Sequence, residues 1–110
     1  MESSKINTVM KYKIKFRPEF DLDLIELDLS LSEYPQKAGR IIAKLDEAIS
    51  FLTQMPNLYP VYEDFPIFRK IVIEDYLAFY VVNEEAKAIE VHRLIYGGMD
   101  LRKWLPYNGD

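Results

Sequence analysis

The 110 residues contain no cysteine and a single histidine. A disulfide framework and a thiolate metal site are thereby excluded, and a zinc site would need several carboxylates around one imidazole, so neither a metal nor a cofactor is expected. Long apolar runs are also missing. None approaches the ~20 residues that span a bilayer, and the opening Met1-Glu2-Ser3-Ser4-Lys5 has no hydrophobic signal region. A cytoplasmic protein with no membrane partner is expected. Positive charge is scarce as well: 14 Lys and Arg stand against 18 Asp and Glu, a balance that repels nucleic acid in general and confines any anion site to a local patch. The acids crowd early, at Glu19, Asp21, Asp23, Glu26 and Asp28, whereas Arg69, Lys70, Arg93, Arg102 and Lys103 come late. The carboxy-terminal half is therefore the place for an anion. Internal repeats and low-complexity segments are absent from the sequence.

What is present is a hydrophobic content of 49%, enough for one domain spanning residues 1–110 with one modest core. Residues 1–9 read as a loose leader. The organising stretch is Phe68 to Tyr96, where three runs rich in β-branched and aromatic residues, Phe68–Ile73, Tyr76–Val82 and Ile89–Tyr96, are separated by short polar breaks. This pattern predicts an antiparallel meander. The middle run is apolar at both alternating sets of positions and is expected to be central and covered on both faces. In the third run, strict alternation places Ile89, Val91, Arg93 and Ile95 on one face and Glu90, His92, Leu94 and Tyr96 on the other. The second of these is the face on which chemistry is expected.

Before the meander, Tyr12, Ile14 and Phe16 alternate with lysines, the pattern of a half-buried strand whose lysine face suits a sheet edge. Pro18 followed by acidic residues predicts a helix start. In that helix Phe20, Leu24, Leu27 and Leu31 form the apolar stripe, widened by Ile25, while Leu22 and Leu29 fall outside it. Two readings of those two leucines stay open: a wider buried face, or a contact surface for a partner. A second helix opens at Pro35, carries Ala38, Ile41, Ile42, Leu45, Ala48, Ile49, Leu52 and Met55 at three- and four-residue steps, and stops at Pro56. The short link at Glu33 and Tyr34 folds the two helices into a hairpin. Residues 57–66, with Tyr59, Tyr62 and Phe65, read as an ordered loop with exposed aromatics. After Gly97-Gly98, Met99 to Leu105 reads as a short closing helix capped by Asp100 and packed down by Trp104 and Leu105. The expected fold is α+β, a helical hairpin on a small, mostly antiparallel four-stranded sheet.

Five stretches in this order resemble the RelE/ParE superfamily, the toxins of bacterial type II toxin–antitoxin and plasmid stabilisation systems. They are Tyr12-Lys13-Ile14-Lys15-Phe16-Arg17-Pro18; the acidic helix start; the helix end at Leu52 to Pro56 with its proline-rich loop; Phe68-Arg69-Lys70-Ile71 leading to Asp75-Tyr76 and Phe79-Tyr80; and Val91-His92-Arg93-Leu94-Ile95-Tyr96-Gly97 followed by Asp100-Leu101. The resemblance covers nearly the whole chain. It implies a growth inhibitor neutralised by a small antitoxin. The target it implies is either messenger RNA on the ribosome, cut by a metal-independent endoribonuclease (an mRNA interferase), or DNA gyrase, inhibited without catalysis. An inactive relative kept as a protein-binding module is the alternative.

For the ribonuclease, the resemblance implies Arg69, His92 and Tyr96 as catalytic residues and Lys70, Arg93 and Arg102 as substrate-binding ones. Cleavage by a ribose 2′-hydroxyl needs a base, an acid for the leaving oxygen and cations for the developing charge. The sequence departs from that branch at three places: Tyr96 stands where many relatives have histidine, Gly98-Met99 where many have a basic pair, and Leu77 where arginine is frequent. The plainer readings are a sheet-face histidine at His92 and arginines at 69 and 93 paired with carboxylates such as Glu74 or Asp100.

Overall fold

The computed structural model describes residues 11–98. Strand β1 (Lys13–Phe16) leads directly into helix α1 (Pro18–Ser30), where Pro18 occupies the first turn with Glu19 and Asp21 beside it. The fixed φ of proline and the acids near the amino end of the helix dipole favour a start here, in place of a side-chain cap. A turn closed by Tyr34 N–H donating to Leu31 O at 2.8 Å leads to α2 (Pro35–Leu52), again begun by proline. The second helix ends at Leu52, so Met55 does not extend its stripe and is left exposed in the turn that follows.

The meander consists of β2 (Arg69–Ile73), β3 (Tyr76–Asn83) and β4 (Ala88–Tyr96). Spatial order is β1-β4-β3-β2, with β1 parallel to β4 and the other two pairings antiparallel. The sheet is therefore mixed. The helical hairpin carries the chain from one edge, β1, across the whole sheet to the other, β2, and the meander brings it back. Lys13 and Lys15 lie on an edge strand, where their charge opposes pairing with another chain.

Two apolar clusters sandwich the central strands. On the inner face Phe20 and Leu27 of α1 and Ile41, Leu45, Ile49 and Leu52 of α2 meet Ile71, Ile73, Ala78, Tyr80, Ile89, Val91 and Leu94 of the sheet. Full burial of a side chain such as Leu27 or Ile41 contributes about 1.5–3 kcal/mol. On the outer face Phe65, Phe68, Phe79 and Ile95 form a second cluster, with Tyr62 against it. The loop from Pro56 to Phe68 thus folds over the outer face, and Phe65 is buried there rather than exposed. A backbone bond from Tyr62 N–H to Phe68 O at 2.8 Å and a bridge between Val61 and Arg69 close it onto the sheet. No helix among the described residues is long and apolar enough to cross a membrane. The expected closing helix at 99–105, with Asp100, Arg102 and Trp104, lies outside the described residues, as does the leader.

Candidate functional site

Strict alternation fails in β4, and the failure decides where the candidate residues point. Tyr80 pairs with Val91 but Phe79 pairs with Arg93, so His92 is an extra residue in a β-bulge. A bulge shifts the parity of everything beyond it. Ile89, Val91 and Leu94 consequently pack inward, whereas Ile95 joins Phe68 and Phe79 on the outer face. Tyr96 pairs with Tyr76, which packs against the inner cluster, while the His92 ring meets the Phe68 ring edge-on at 5.2 Å on the outer face. The expected common face of His92, Leu94 and Tyr96 does not exist.

β1 ends opposite Val91, leaving a free edge on β4 beyond it. Asp23 of α1 fills that gap. Its Oδ2 accepts from the Leu94 backbone N–H at 2.8 Å and from Arg93 Nε at 2.8 Å, and its Oδ1 accepts from Arg93 Nη2 at 2.9 Å. Both side chains are largely buried, at 14% and 13% exposure. The hydrogen-bonded carboxylate raises the Arg93 pKa against the opposing effect of burial. The expected partners Glu74 and Asp100 are replaced by an acid 70 residues away. Sequence reasoning placed Asp23 only in a solvated acidic face; its position one residue after the exposed Leu22, turned toward the sheet, was the missing signal.

Beside this pair a groove of about 450 Å³ opens between α1 and the ends of β3 and β4, walled by Leu22, Glu26, Ser30, Tyr76 and Tyr96 with Leu27 and Leu94 beneath. The Tyr76 and Tyr96 rings meet edge to face at 5.7 Å. Burial, followed by the nearby Asp75 charge, pushes the Tyr76 hydroxyl up from its usual pKa.

The remaining candidates are dispersed. Arg69 pairs with Tyr80 and donates from Nη1 to Tyr59 O at 2.7 Å. Tyr96 lies opposite Tyr76, so Arg69 and Tyr96 flank β3 four residues apart, about 13 Å along the strand. Lys70 sits on the outer face over the Tyr62 ring, 5.4 Å from its centroid. His92 Nε2 is buried with no hydrogen-bond partner among the described residues, and the Glu90 carboxylate stands 3.7 Å off. Burial first and the Arg17 charge second lower its pKa, with Glu90 pulling the other way. Arg102 lies outside the described residues. No group of three or more His, Cys, Asp or Glu among the described residues is arranged to hold a metal ion.

The outward side of α1 is the largest departure from an ordinary solvated helix. Leu22, Ile25 and Leu29 are 64%, 57% and 66% exposed. Ile25 does not widen the buried stripe; it joins the two leucines in a second, exposed one. Phe20 and Leu27 alone of α1 are fully buried.

The family model for the ParE toxin of type II toxin–antitoxin systems, parDE, matches residues 14–101. The chain belongs to this family. The ParE match and the solved structures place it within the RelE/ParE superfamily, and its strand-helix-helix-strand-strand-strand order is shared with them. One such structure is a chromosomal ParDE toxin–antitoxin system from P. aeruginosa, with a TM-score of 0.65 and 20% identity over 79% of this chain and 97% of that one. The toxin–antitoxin complex RelBE2 from Mycobacterium tuberculosis follows, with a TM-score of 0.57, 17% identity, and coverage of 79% and 92%. A metal-bound toxin from Helicobacter pylori has a TM-score of 0.53, 18% identity, and coverage of 79% and 96%. No curated protein matches the sequence significantly.

Proposed function

We propose that this ParE-family protein arrests growth by binding its target rather than by cutting RNA, as a ParE-like inhibitor of DNA gyrase restrained by a small antitoxin. One observation carries the non-catalytic reading: Arg69, His92 and Tyr96 are not gathered into one centre, since His92 faces outward against Phe68 while Arg69 and Tyr96 lie at separate points of the inner face. Acid–base catalysis needs its groups within about 3 Å of one substrate. Arg93, the nearest cation to Tyr96 in sequence, has a carboxylate on its guanidinium already. The net negative charge further disfavours a long RNA contact.

The antitoxin is supported by the family and by the exposed stripe Leu22, Ile25 and Leu29, an apolar surface that a lone domain of this size does not require. Two of the similar structures are described as ParDE and RelBE2 toxin–antitoxin assemblies.

Induced expression with transcripts and DNA integrity both followed tests the mechanism. Growth arrest with intact transcripts, a DNA-damage response and inhibition of purified gyrase supercoiling is expected. Rapid transcript cleavage that is lost in both Arg69→Ala and Tyr96→Phe would establish the RelE-like ribonuclease instead, and no arrest at all would leave a protein-binding module. Co-purification with the product of the neighbouring gene, weakened tenfold or more by Leu29→Asp, tests the antitoxin surface.

A further inference from the structure

The groove between α1 and the ends of β3 and β4 has an apolar floor and an acidic rim. Leu22, Leu27, Leu94 and the Tyr76 and Tyr96 rings line it. Within it Asp23 is matched by Arg93, but Glu26 accepts only from the Ser30 hydroxyl, at 3.3 Å, among the described residues. No lysine or arginine occurs anywhere in Pro18–Ser30. The groove therefore suits an occupant with large apolar side chains and one or two cations.

The chain supplies such a segment immediately beside it. β4 ends at Tyr96, a wall of the groove, and Gly97 N–H is fixed to Asp75 O at 2.8 Å. At Gly98 the backbone runs so close to the Tyr96 ring that a Cβ there would stand 2.7 Å from Cε2. The sequence then continues Met99-Asp100-Leu101-Arg102-Lys103-Trp104-Leu105-Pro106-Tyr107, apolar residues around two adjacent cations. As a helix these residues would span about 14 Å, against about 12 Å from Leu22 to Ser30.

We propose that residues 99–107 fold back into this groove, seating Trp104 on the floor between Leu22 and the Tyr76–Tyr96 pair, with Arg102 or Lys103 facing Glu26. Such docking is intramolecular, so an effective concentration of order millimolar makes a modest affinity sufficient. It is independent of the toxin reading. The groove is then an internally occupied site, and any partner that needs its floor must displace the carboxy-terminal segment.

Trp104 is the only tryptophan in the chain, so its fluorescence reports this contact alone. The purified full chain is compared with a synthetic peptide of residues 99–110, and with Leu22→Asp and Glu26→Lys. Both substituted positions are exposed on α1, and far-UV circular dichroism checks that the fold persists. The full chain should emit at shorter wavelength than the peptide and be quenched several-fold less by acrylamide. Leu22→Asp should move both readings most of the way to those of the peptide, and Glu26→Lys part of the way. Emission and quenching equal to the free peptide would overturn the proposal. So would a shielded tryptophan indifferent to both substitutions, since the segment would then be seated elsewhere.

Discussion

Asp23 is the carboxylate on which the edge of β4 depends: it takes the Leu94 N–H that β1 ends too early to reach, and both arms of Arg93. Asp23→Asn keeps the volume but removes the charge from those bonds, and should lower stability by about 1.5–3 kcal/mol in urea denaturation. His92 makes the opposite kind of prediction. Held neutral below its usual pKa by burial, it binds a proton more weakly in the fold than in the unfolded chain. Stability should therefore be full above about pH 6.5 and decline as pH falls below it, because the unfolded state then gains protons that the fold does not. His92→Phe, which preserves the ring against Phe68, should flatten that decline in melting temperatures measured from pH 8 to pH 5. Neither residue's setting could be read from spacing. One extra residue in a strand is invisible to a period of two, and the parity of Leu94, Ile95 and Tyr96 turns on it.

At the scale of the element, α1 carries two apolar stripes with different destinations. Leu27 is buried in the inner cluster and Leu29 is two-thirds exposed. Leu27→Ala should cost about 2–5 kcal/mol through lost burial and a residual cavity, whereas Leu29→Ala should change stability by less than about 0.5 kcal/mol. Equal costs in chemical denaturation would show that the second stripe is part of the core. The sequence marked Leu22 and Leu29 as surplus but assigned Ile25 to the wrong side, because a helix with six large apolar residues in one stretch satisfies several faces at once. Helix starts at Pro18 and Pro35 and the three meander strands were legible, since proline geometry and β-branched runs are local signals. The folding of the 56–68 loop over the outer face was not, as it rests on Tyr62 and Phe65 meeting Phe79 across the chain.

For the molecule as a whole, the β2–β3 turn is fastened to α2 by Glu74, which sits at a φ of 55° and accepts from Arg40 at 2.6 and 3.0 Å and from Lys44 at 2.9 Å. These bonds lower the Glu74 pKa to about 2. The stability they add is present above the ordinary carboxyl value and is lost as pH falls through the folded one, so Glu74→Gln should flatten the acid limb of the melting curve between about pH 4.5 and pH 2. The pairing of β1 with β4 has a consequence of another kind. The two strands run parallel from Lys13↔Ala88 to Phe16↔Val91, with Lys13 N–H and Arg17 N–H bonded to Lys87 O and Val91 O at the two ends. One is the first strand of the chain and the other the last. A load applied between the amino and carboxy ends therefore pulls them lengthwise past each other and strains every bond of the ladder together. Drawn apart through residues 11 and 98 in an optical trap, the domain should resist as a lap joint does, yielding at a markedly higher force than when gripped at residues 73 and 83, where β3 can be peeled from its neighbours one bond at a time.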